Sequence, residues 1–94
     1  MLLILDVISS ISEFTVIDDN KVVFTKKIYS SKSNKLSENL FVIFNSINNK
    51  LNLLDKINKI VITNGPGSYT NLRIGGAFIS GLQLSKKIKI SEFS

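Results

Sequence analysis

Two places in this 94-residue sequence carry residue types that could do chemistry, and scattered cations could add to them. Asp6 is the acid that interrupts the apolar run Leu2 to Val7. A carboxylate there sits at the C-terminal end of a strand, where α/β folds gather ligands. The same placement suits an acid that caps a strand end and accepts loop amides. The second place is Asn64-Gly65-Pro66-Gly67-Ser68-Tyr69-Thr70. Its glycines permit positive φ, and its Ser and Thr can cap a helix whose first amides could hold an anion. No Gly-Lys-Ser/Thr follows, so it is not a Walker A loop, and no Gly-x-Gly-x-x-Gly is completed. The cations are eleven lysines and the single Arg73. They are spread through polar segments without the clustered Arg and aromatic platforms of a nucleic-acid footprint, so contact with RNA is expected to be weak or indirect.

Composition narrows the chemistry further. There is no Cys and no His. Disulfides, thiolate nucleophiles, Cys or His zinc sites, Ser-His-Asp triads and histidine bases are therefore excluded. A net charge of +5 with 44% apolar and 20% charged residues is a globular balance, not a disordered one. The length allows one core. No window approaches the roughly 20 apolar residues that cross a bilayer, and no basic region or cleavage site frames the apolar start. The expectation is a soluble, cytoplasmic protein with no membrane contact.

The elements that must position these residues follow from periodicity. Leu2 to Val7 is apolar apart from Asp6, too short for a helix, and its continuity predicts a central strand buried on both faces. Phe14 and Val16, then Val22, Phe24 and Ile28, predict two further strands, with Asp18-Asp19-Asn20 as the turn between them. Leu36, Leu40, Phe44, Ile47 and Leu51 recur at spacings of four and three and predict a helix, opened near Ser37 and closed among Asn48, Asn49 and Asn52. Phe41, Val42 and Ile43 widen its apolar stripe. That stripe suits packing on a sheet, and equally a surface shared with a partner helix. Lys59 to Thr63 predicts a strand, Leu72 to Leu84 a second helix ending at Lys86-Lys87, and Ile88-Lys89-Ile90 a last strand. Gly76 and Ser80, four apart, form a small-residue groove suited to close approach of another backbone. The order is β-β-β-α-β-α-β, and right-handed crossovers imply a mixed five-stranded sheet carrying two helices.

Leu2-Leu-Ile-Leu-Asp6, Ser37-Glu38-Asn39-Leu40 and the run Asn64 to Gly76 together resemble the TsaB family, also called YeaZ. The family pattern, Gly-Pro-Gly-Ser-Phe/Tyr-Thr-Gly-Val/Leu-Arg-Ile-Gly, is matched from Gly65, Pro66, Gly67, Ser68, Tyr69 and Thr70 through Arg73, with Asn71 in place of a Gly. Two further departures are Leu36, where a His is common, and Val7, where a Thr is usual. Residues 1–94 correspond to the N-terminal half of the family and read as a single, truncated domain.

The resemblance implies an actin-like ASKHA (ribonuclease H-like) domain with sheet order 3-2-1-4-5. It implies a part in threonylcarbamoylation of tRNA adenosine 37, in which the TsaB-like subunit is not the catalyst. That subunit pairs with a TsaD-like protein, works with a TsaE-like ATPase and forms a homodimer when alone. The family's M22 glycoprotease label finds no chemical support in a His-free chain. No cofactor and no metal are expected, and Val7 removes a hydroxyl from the hairpin that binds phosphate in ATP-using relatives. The expected partner surface is Leu36, Leu40, Phe44, Ile47, Leu72, Gly76, Ile79, Ser80 and Gln83. Two other readings remain: a degenerate homodimer with no tRNA role, and a small ASKHA-type phosphotransferase or hydrolase using Asp6 and the Gly65 to Thr70 loop.

Overall fold

The computed structural model describes residues 1–7, 11–29, 35–63, 69–85 and 89–93. The elements are β1 (Leu2–Asp6), β2 (Ser12–Asp18), β3 (Lys21–Ile28), α1 (Leu36–Leu51), α2 (Leu53–Lys56), β4 (Lys59–Thr63), α3 (Tyr69–Ser85) and β5 (Lys89–Phe93). The strands form a mixed sheet in the order β3-β2-β1-β4-β5. β1 runs antiparallel to β2 and parallel to β4, β2 runs antiparallel to β3, and β4 runs parallel to β5.

The β2–β3 hairpin turns at Asp19 and Asn20, whose φ values of 53° and 61° place both in the left-handed region. Left-handed residues at both central positions match the right-handed twist of the flanking strands, and Asp and Asn tolerate that region better than other non-glycine residues. The turn therefore falls where the Asp-Asp-Asn run predicts it.

Alternation in β1 separates the two faces of the sheet. Leu3, Leu5 and Val7 are buried with Phe14 and Val16 of β2 and Ile60 and Ile62 of β4. Against this face lie Leu36, Leu40, Phe44 and Ile47 of α1, Leu53 of α2, and Phe78, Ile79 and Leu82 of α3, in one continuous core. Phe78 is central, its ring 5.8 Å from Phe14, 5.5 Å from Phe44 and 5.0 Å from Phe41. On the opposite face Leu2, Ile4, Ile17 and Val61 are only half-buried. The expectation that β1 is covered on both faces is thus corrected: continuity of the apolar run places it mid-sheet, but among the described residues helices cover one face.

α1 spans the expected Leu36–Leu51, while α2, α3 and β5 bring differences. α1 begins at Leu36 with no side-chain cap, so Ser37 lies in its first turn, while Lys35 O accepts from Asn39 N at 3.0 Å. Asn39 Nδ2 donates to Tyr29 O at 3.2 Å, tying the start of α1 to the end of β3. At the far end Asn52 adopts φ 55°, and Asn48 serves twice: its carbonyl accepts from Asn52 N at 2.7 Å and its Oδ1 from Leu54 N at 2.9 Å. This cap restarts the chain as the four-residue α2, which the asparagine-rich sequence concealed. α3 begins at Tyr69, three residues before Leu72, and β5 extends to Phe93.

Candidate functional site

At the carboxyl ends of β1 and β4 the described side chains bond to one another and to the backbone. Thr63, last in β4, donates its hydroxyl to Asp6 Oδ1 at 3.1 Å and accepts from Val7 N at 3.2 Å. Asn71, in the first turn of α3, donates from Nδ2 to Val7 O at 3.2 Å. Val7 itself is fully buried. One residue of α3 passes close above it: a Cβ added to Gly75 would lie 3.0 Å from Ile62 Cδ1 and 3.3 Å from Val7 Cγ2. Asp6 thus holds together the ends of β1 and β4, as a strand-end acid does. The motif residues Gly65, Pro66, Gly67 and Ser68 lie outside the described residues. Tyr69 and Thr70 open α3, and Thr70 is exposed.

The paired helices make a second feature. Of the residues expected at a partner contact, Leu36, Leu40, Phe44, Ile47 and Ile79 are buried in the chain's own core. They take the sheet-packing role. Of the other expected contact residues, Leu72 is half-buried while Gly76, Ser80 and Gln83 are exposed. A Cβ added to Gly76 would meet nothing within 4 Å, so the close approach within the chain belongs to its neighbour Gly75.

The apolar surface that remains is carried by residues that the sequence marks only as widening the stripe. Phe41 is 49% exposed and Val42 66%. Phe41 borders a shallow groove between α1 and α3 with Ser37, Arg73, Ile74, Ala77 and Phe78. A strict count of 100° per residue from the buried Leu40 would have turned Phe41 and Val42 toward the rim. Thr63 and Asn71 carried no such periodic signal, because their role depends on a contact across the sheet. Asn71 stood out only as a departure from the family pattern, and its side chain has a partner in Val7 O.

No group of three or more potential metal ligands occurs among the described residues. No described helix is long and apolar enough to cross a membrane.

In sequence, residues 23–92 match the family described as TsaD, tRNA N6-adenosine threonylcarbamoyltransferase. The chain belongs to this family. None of the curated proteins matches it. In structure it is similar to YeaZ from Pseudomonas aeruginosa, with a TM-score of 0.80 at 17% identity over 99% of this chain and 43% of that one. A second solved structure, an uncharacterized protein with similarity to peptidase YeaZ from Pseudomonas aeruginosa, gives 0.75 at 18% identity over 99% and 42%. The chain therefore spans less than half the length of these structures. At such identities the likeness establishes a shared mixed α/β fold of the YeaZ (TsaB) kind, while the family match rests on the sequence itself.

Proposed function

We propose that this chain is a non-catalytic scaffold subunit that supports threonylcarbamoylation of tRNA adenosine 37 by pairing with a TsaD-like protein. The observation that carries this reading is the exposed α1–α3 face on a member of that family. Phe41 offers an apolar anchor beside Arg73, Ile74 and Ala77, and Gly76 and Ser80 are exposed along α3, where they leave room for a neighbouring backbone. The strand-end cluster supports the non-catalytic part: Asp6 is engaged with Thr63, Val7 is buried and apolar, and Asn71 spans the gap between β1 and α3. In this reading the sheet is the N-terminal half of an actin-like ASKHA fold, residues 1–94 act as one domain in the cytoplasm, and a TsaE-like ATPase joins the assembly.

The test is co-purification with a TsaD-like protein from the same cell, compared with a Gly76→Leu variant. Because nothing stands over Gly76 within the chain, the variant should fold and yet lose the partner. Retention of the partner by the variant would move the contact off this face. Failure of the natural chain to retain one would favour a homodimer without a tRNA role.

A further inference from the structure

β3 stands at one end of the sheet order, so among the described residues its outer edge has no strand beside it. It is eight residues long, and Val22 and Val23 on it are exposed. A long edge of this kind presents a row of backbone donors and acceptors to any extended segment that can approach. Beside it, between β3 and α1, runs a groove floored by Phe24, Ile43 and Ile47 and rimmed by Val42, Lys26 and Lys50.

The lysines around this edge are not equivalent. Lys21 stands opposite Asp18, and Lys27 opposite Glu13, across the β2–β3 ladder, so each has a carboxylate on the neighbouring strand. Lys26 stands opposite Phe14. With Lys50 of α1 it forms a cationic rim on a groove that no acidic residue lines. A second copy of this chain adding its own β3 would set side by side two strands that each carry Lys21, Lys26 and Lys27 and no carboxylate. Like charges facing one another across strands oppose that pairing.

We propose that the β3 edge and the groove beside it receive an extended acidic segment of another protein. That segment would add a sixth strand whose groove-facing positions, two residues apart, place an aliphatic residue over the groove floor between carboxylates that meet Lys26 and Lys50. Backbone pairing supplies the register, and the charges decide which segments are admitted. This surface is separate from the α1–α3 face, so its failure leaves the pairing proposed above untouched.

The probe is a fluorescent heptapeptide, Thr-Glu-Thr-Val-Thr-Glu-Thr, whose Glu and central Val share one face, titrated against the 94-residue chain at low ionic strength. Its controls are a twin with Lys for Glu and a twin with Pro at the central Val. The Glu peptide should bind and slow hydrogen exchange of residues 21–28, while both twins bind at least about tenfold more weakly. A Lys26→Glu/Lys50→Glu variant, checked for native circular dichroism, should lose a similar factor, and Lys26→Gln alone should lose part of it. No binding of the Glu peptide, equal binding of either twin, unchanged exchange over 21–28, or an unaltered affinity in the charge-reversed variant would each overturn the proposal.

Discussion

The Thr63 hydroxyl is the hinge of the strand-end cluster, because it is used as donor and acceptor at once. Thr63→Val keeps the branched shape and removes both bonds, leaving a part-buried Val7 N–H without its acceptor. Urea unfolding should show a loss of about 1 to 3 kcal/mol. Asn71→Ala removes one bond to Val7 O and should cost about 0.5 to 1.5 kcal/mol by the same measurement. The adjacent glycines should respond differently. At Gly76 the space is open, so Gly76→Ala should gain up to about 1 kcal/mol of helix propensity. At Gly75 a new methyl meets Ile62 and the stiff, β-branched Val7, so Gly75→Ala should gain less, and Gly75→Leu should lose about 1 to 3 kcal/mol through overpacking. A calorimetric titration with ATP or ADP should give no binding heat, since Asp6 and Val7 are already committed to the fold; a micromolar affinity would return the Asp6 loop to consideration as a phosphate site.

At the scale of elements, the aromatic cluster joins both long helices to the sheet through Phe78. Phe78→Ala should cost about 3 to 5 kcal/mol, read as a lowered urea midpoint or as outright loss of near-ultraviolet dichroism. The sequence showed α1, β4 and the β2–β3 hairpin because each obeys a local rule: a 3.6-residue period, a compact β-branched run, a turn of residues that accept positive φ. What it concealed was decided by single side-chain bonds. α2 exists because Asn52 takes a left-handed conformation and Asn48 captures Leu54 N, an arrangement with no periodicity of its own. The stripe on α1 was legible as apolar, and its division between inner and outer residues follows the helical period counted from Leu40. Leu40 and Phe44 went inward and Phe41 and Val42 outward for that reason.

For the molecule as a whole, the two faces of the sheet are unequal. Leu2, Ile4, Ile17 and Val61 keep part of their surface in water, and a contiguous apolar patch favours association. The 94-residue chain alone should therefore sediment as a dimer or larger species in the low micromolar range, and Ile4→Thr with Val61→Thr should shift it toward monomer. A cooperatively unfolding monomer of the natural chain under those conditions would count against the open face as an adhesive surface. The topology also sets a timetable. β1 finds β2 a few residues downstream, but its other neighbour, β4, is far along the chain: Asp6 and Thr63 are 57 positions apart. At a synthesis rate of about 5 to 20 residues per second, the middle strand of the sheet waits roughly 3 to 11 s on the ribosome before its second ladder can form. During that interval its aliphatic side chains are open to whatever chaperone stands at the tunnel exit.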